Sequence, residues 1–186
     1  MPYTAREHEI WRRLYERMLP RWEHGATDVF LNGVAKLNLA PDHVPELSEV
    51  NCRLAPLTGF QAVAVEGYVP AVDFFAHLKR RHFPTVITMR REGQMDYLPE
   101  PDIFHDVAGH VPMHTDPVFA ETLADFGALA EELHDDEQVA GALARFFWFT
   151  IEFGLISTCK GLQAYGSGLM SSYGELEHAL HSAEVD

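Results

Sequence analysis

DYLPEPDIFHDVAGHVPMHTDPVFA, Asp96 to Ala120, carries His105 and His110 among its three histidines, with four residues between these two and prolines at 101 and 112 on either side. An α-helix turns about 100° per residue, so side chains five apart diverge by roughly 140° and cannot meet on one ion from an unbroken helix. The pattern predicts a short helix over 103–108, capped by Asp102 and ended by Gly109, after which the chain turns and brings His110 round to the side of His105. A third donor is expected from Glu152 in RFFWFTIEFGLI, Arg145 to Ile156. Its carboxylate falls in the middle of an otherwise apolar helix, where an unpaired charge is costly to bury and a metal would neutralise it. Two histidines and a carboxylate with open coordination positions suit a non-haem Fe(II) oxygenase. Zinc accepts the same ligands in hydrolases, with Asp106 then placed as general base, so ligand type alone leaves both open. Phe104, Phe146, Phe147, Trp148, Phe149 and Phe153 point to a dry aromatic pocket for an aromatic substrate or a flat cofactor.

Working outward from this stretch, most of the chain reads as helix. Thr4 and Glu7 form a capping-box pattern that opens a first helix, with Ile10, Trp11, Leu14, Tyr15, Met18 and Leu19 at helical spacing up to Pro20. A second runs from Asp28 to about Leu39, and a third follows Pro45 until Gly59. Residues 60–66 alternate as a short strand, Pro70 leads into another helix, and 84–90 read as a second strand that ends by presenting Arg90 and Arg91 at an edge. Beyond the histidines, Asp116–Pro117 opens a helix to about Leu133, and an apolar helix is expected over 139–159. An extended piece, LQAYG, follows Gly161, and Ser172 with Glu175 spaces as a capping box for a last helix. The expectation is a mainly α, α+β fold with two or three short strands and no βαβ alternation that would demand a parallel sheet.

The 186 residues fit one catalytic domain spanning 1–186, with 47% apolar and 23% charged residues and no repeat. Fourteen Lys and Arg stand against 28 Asp and Glu, a formal charge of −14 that repels phosphate backbones and anionic lipid, so neither nucleic acid nor a membrane is an expected partner. Charges thread the N-terminal apolar positions, which excludes a secretory core or a membrane span there. Cys52 and Cys159 form no CxxC pair; they read as inert core thiols of a cytoplasmic protein.

Together, PEPDIFHDVAGHVPMHTDPVFA, FFWFTIEFGLI and AYGSGLMSSYGE, with TGF at 58–60 and VEGYVP at 65–70, closely resemble the pterin-dependent aromatic amino acid hydroxylases, bacterial phenylalanine hydroxylases most of all. The resemblance covers nearly the whole chain. It implies an enzyme that uses Fe(II), a tetrahydropterin and O₂ to hydroxylate the ring of an aromatic amino acid, phenylalanine to tyrosine first, with tryptophan or another ring position as alternatives. A pterin- or amino-acid-binding protein without catalysis is a further alternative. Carried over by position, His105, His110 and Glu152 are the iron ligands. Arg90 pairs with the substrate carboxylate and Asp102 steadies that arginine, with Pro101, Trp148 and Ser171 on the substrate side. Phe74 stacks on the pterin; Gly67, Val69, Ala71, Ala144 and Phe147 line it, and Asp106 lies near pterin and iron water. Phe147 stands where many members have tyrosine, and Ala71 where animal members have serine. Relatives also continue past SSYGELEHALHS with a segment that packs on the core. The regulatory and tetramerising parts of animal members are absent, so a monomer or small homo-oligomer is expected.

By pattern alone, Phe74, Phe147, Trp148 and Phe153 are core residues, and Arg90 is a solvated cation. His114, His134, His178 and His181 read as exposed polar positions, and the run 131–137 as a solvated helix end.

Overall fold

A computed structural model of the chain describes residues 3–67, 69–95, 100–133 and 137–182. Helix α1, Ala5–Gly25, starts at the expected Thr4–Glu7 capping box but runs through Pro20 instead of stopping there. Pro20 lies on the exposed side, and the buried face continues past it through Trp22 and Gly25. Packing on both sides of the proline outweighs the single helical hydrogen bond that it removes. Thr27 caps α2, Asp28–Leu37, which ends two residues earlier than expected because Asn38 takes a left-handed conformation, φ 52°. Helix α3, Leu47–Thr58, ends at Gly59, φ 78°, where a side chain would be strained.

Strand β1, Gln61–Val65, helix α4, Ala71–Lys79, and strand β2, His82–Val86, form a βαβ unit whose strands pair in parallel from Gln61↔His82 to Val65↔Val86. This corrects the expectation of no such unit. The second strand also starts two residues earlier than expected and ends four residues earlier, since β1 ends at Val65 and offers no partner beyond Val86. In a two-stranded sheet each strand keeps an open edge, which tolerates Pro84. Arg90 is consequently buried on a loop, whereas Arg91 is exposed.

The largest departure lies in the quoted stretch. Residues Phe104–His110 form a π-helix that passes through Gly109 without a break, closed by Val111 N–H donating to Asp106 O at 3.2 Å, five residues back. A 3₁₀ turn, Met113–Thr115, leads into α5, Pro117–Glu132, capped by Asp116 as expected. Helix α6, Glu137–Phe147, does not reach Cys159: it widens into a second π-helix, Trp148–Glu152, and then gives way to an antiparallel hairpin of β3, Leu155–Thr158, and β4, Gly161–Ala164. The apolar residues that read as a long helix there are split between two elements. Helices α7, Ser167–Ser171, and α8, Tyr173–His181, complete the order; Ser172 makes no side-chain cap. Among the described residues, four strands in two small sheets therefore replace the two or three expected, within a mainly helical fold.

The buried apolar residues join in one cluster that seats the first π-helix. Phe104 packs edge-on to Trp11, ring centroids 5.2 Å apart, and stacks at 6.4 Å on Trp22, whose indole N–H donates to Met170 O at 2.8 Å. One aromatic group thus ties α1, the π-helix and α7 together. Cys52, on α3, and Cys159, in the hairpin turn, are exposed and are not core thiols. His178 and His181 are exposed as expected, but His114 is fully buried; His134 and 96–99 lie outside the described residues.

Candidate metal centre

In a π-helix the i→i+5 hydrogen bond widens the turn, so residues five apart face the same way. His105 and His110 stand in that relation, ring centroids 4.9 Å apart, with their Nε2 atoms 3.2 Å from each other. Glu152 ends the second π-helix and meets them: its carboxylate lies 2.9 Å from His110 Nε2 and 3.8 Å from His105 Nε2. The three donors fall within 4.8 Å of one another, and among the described residues no other group of three or more His, Cys, Asp or Glu does so.

The electrostatics follow from this convergence. Burial, and then the neighbouring His110, push His105 down to about 4. Burial also works against a charged His110, but the carboxylate of Glu152 outweighs it and holds His110 above the ordinary histidine value. Glu152 is itself opposed by burial yet held down to about 2, chiefly by His110. The Glu152 carboxylate thus favours positive charge at the point where the three donors meet.

The surroundings fit a metal. His105 Nδ1 lies 2.7 Å from Ser171 Oγ, and its backbone N–H donates to Asp102 Oδ1 at 3.0 Å. A proton on Nδ1 leaves Nε2 free as a ligand, which is how metal-bound histidines are usually held. His110 differs: among the described residues its buried Nδ1 has no hydrogen-bond partner, and its ring is supported by Phe83, 4.7 Å away. Gly109 serves close approach rather than chain reversal, since a Cβ there would lie 2.8 Å from Ser167 O.

Asp102 does two things at once. Besides capping the first π-helix, it receives Arg90 in a buried fork, Nε to Oδ2 at 2.8 Å and Nη2 to Oδ1 at 2.9 Å. Arg90 is thereby rigid, with Nη1 free of that pair. Asp106 accepts from Val86 N–H at 2.6 Å, tying β2 to the π-helix; burial pushes it up to about 7.

Phe74 packs edge-on to Phe147 at 5.5 Å and to Phe83 at 6.1 Å, so the rings expected at a flat cofactor reach the histidines through Phe83. Gly67, φ 82°, Val69 and Ala71 lie on the approach to α4. Ala144 and Pro101 are exposed, and Trp148 is 54% exposed against Phe153. Phe146 and Phe149 are exposed as well, so these aromatics do not close the dry pocket expected of them. The sequence reading missed Phe83 and His114: Phe83 stood just outside the expected second strand, and His114 read as an exposed polar position.

Residues 1–185 match the family described as biopterin-dependent aromatic amino acid hydroxylase. Phenylalanine-4-hydroxylase of Caulobacter vibrioides is 44% identical over 178 residues, 96% of this chain and 60% of that protein. The apo phenylalanine hydroxylase of Colwellia psychrerythraea superposes with a TM-score of 0.96 at 38% identity, covering all of this chain and 70% of its own. The Chromobacterium violaceum enzyme with bound iron(III) and 7,8-dihydrobiopterin superposes at 0.94 and 41% identity, over 97% of this chain and 66% of that one. The chain thus spans about 60% of the length of such a curated relative. Within that span its fold agrees with that of the solved relatives, and the chain belongs to the biopterin-dependent aromatic amino acid hydroxylase family.

Proposed function

We propose that residues 1–186 act as one catalytic unit that holds Fe(II) on His105, His110 and Glu152 and hydroxylates the ring of an aromatic amino acid, phenylalanine to tyrosine first. The observation that carries this is the convergence of the three donors within 4.8 Å beside the Arg90–Asp102 fork. The bound iron, dihydrobiopterin and phenylalanine-hydroxylase names of the similar proteins support the choice of iron over zinc. With a tetrahydropterin, the metal would supply activation of O₂ for transfer of one oxygen atom to the ring.

The protein's own part is positioning. Arg90, fixed by Asp102, offers its remaining guanidinium edge to the amino acid carboxylate, with Pro101 and Trp148 toward the ring. Phe74 offers a face to the pterin, lined by Gly67, Val69, Ala71, Ala144 and Phe147. Ser171 keeps the His105 ring aimed, and Asp106, poised near neutrality, can hold or release a proton beside the metal. We place the protein in the cytoplasm as a monomer or small homo-oligomer; among the described residues no helix is long and apolar enough to cross a membrane.

Metal analysis tests the centre. The unaltered chain is expected to retain one Fe(II), and His110→Ala or Glu152→Ala to retain none at stoichiometric metal. Full iron occupancy in either variant would remove that residue from the ligand set.

A further inference from the structure

We propose that His114 is a positioning residue for His110, holding that ligand through its peptide carbonyl; the inference rests on the metal reading of the site. His110 is the last residue of the π-helix, where the backbone changes from i→i+5 to 3₁₀ bonding. The N–H groups of His114 and Thr115 turn to the carbonyls of Val111 and Pro112, and Pro112 has no N–H to give. The donor that reaches the His110 carbonyl is the His114 side chain, Nδ1 to O at 2.8 Å. That bond places the proton of His114 on Nδ1.

This support matters more for His110 than for His105. The ring of His105 is anchored directly by Ser171, whereas His110 Nδ1 is buried and unpartnered. The aim of His110 therefore depends on where its backbone sits and on the ring of Phe83 against it. His114 touches both: it binds the carbonyl and lies edge-on to Phe83 at 4.7 Å. It is itself held from α3, since Thr58 Oγ1 donates to His114 O at 2.9 Å, and Phe60 packs on its ring at 5.1 Å. An apolar residue would fill this space equally well; what only a donor at the Nδ1 position supplies is the carbonyl bond. His114 Nε2 is buried with no partner, so a role for the other nitrogen finds no support.

The test is anaerobic titration of the 186-residue chain with Co(II), read by the visible absorption of the bound ion, beside thermal unfolding of the metal-free protein. His114→Leu is expected to weaken Co(II) binding about 10- to 100-fold and to change the spectrum of the bound ion. His114→Asn, whose amide nitrogen falls near the Nδ1 position, is expected to recover both. Unchanged affinity and spectrum in His114→Leu, whatever its thermal stability, overturn the proposal. Should His114→Leu fail to fold, His114→Gln, with its donor displaced outward, is compared with His114→Asn: weaker binding in the glutamine variant is expected, and equal binding overturns the proposal. Failure of the unaltered chain to bind Co(II) would overturn the metal reading itself.

Discussion

The Nε2 atoms of His105 and His110 lie 3.2 Å apart because the helix that carries both is wound one residue wider per turn, not because it ends between them. The helix continues across Gly109, with Val111 N–H donating to Asp106 O, so the candidate metal ligands are brought together without a break in the chain's helical course. Glu152 is delivered by a second π-helix, closed by Phe153 N–H to Trp148 O at 3.1 Å. All three donors thus come from widened turns.

Gly109 sits where that turn meets α7. A Cβ at 109 would lie 2.8 Å from Ser167 O and 3.3 Å from Ser171 Cβ, and a backbone oxygen cannot swing aside. Gly109→Ala is expected to destabilise the fold by about 1–3 kcal/mol, seen as a lower urea midpoint at unchanged slope, and to weaken metal binding. An unaltered midpoint would show that the two elements have more play than this packing implies.

Ser171→Ala removes the partner of His105 Nδ1, 2.7 Å away. Loss of such an outer support costs about 10- to 100-fold in metal affinity, and that range is expected in an iron or cobalt titration. Retained affinity would mean that packing alone aims the ring.

The Arg90–Asp102 fork is almost fully buried, 5% and 3% of the two side chains remaining exposed. Asp102→Ala leaves the guanidinium charge uncompensated and uncaps the first π-helix, so a loss of about 3–5 kcal/mol is expected in chemical unfolding. Arg90→Lys keeps a charge but not the fork; it is expected to raise KM for the aromatic amino acid several-fold with iron content unchanged. Unchanged KM would remove Arg90 from the substrate site.

How much of this could be read from the chain depended on whether a local signal sufficed. Thr4–Glu7, Asp116–Pro117 and Gly59 each act through their own backbone, and all three boundaries stand where the sequence puts them. The convergence of His105, His110 and Glu152 was also legible, through the cost of burying Glu152 unpaired. The means was not: a π-helix differs from a broken α-helix only in where the inserted residue is absorbed, and α7 packing on Gly109 decides that. The break at Glu152 and the hairpin after it were hidden for a similar reason, since Ile151, Leu155 and Ile156 are apolar in either structure. His114 looked like a surface histidine because its donor role depends on a carbonyl that only the fold leaves open.

Acid should weaken the metal-free fold. His114 is held down to about 3 by burial and then by His110, so the unfolded chain binds its proton near the ordinary histidine value while the folded chain refuses it. His105, at about 4, behaves alike, and the stability that both contribute is lost as pH falls below that ordinary value. Glu152, held down to about 2, acts in the same sense from the ordinary carboxylate value downward. His110, raised by Glu152, and Asp106, pushed up to about 7 by burial, act oppositely, each favouring the fold less as pH rises. In thermal melts from about pH 7 to about pH 4 the midpoint of the unaltered protein is expected to drop relative to that of His114→Phe, since only the unaltered protein carries the His114 contribution. Identical slopes in the two proteins would contradict a buried, neutral His114.

The most direct measurement is a single turnover. The chain is loaded anaerobically with Fe(II), mixed with a tetrahydropterin and phenylalanine, exposed to O₂, and the amino acid is analysed by mass. Tyrosine carrying one oxygen atom from O₂, in proportion to bound iron and absent in Glu152→Ala, is the predicted result. Pterin oxidation with no hydroxylated amino acid, or activity with tightly held zinc and no pterin, would contradict the account.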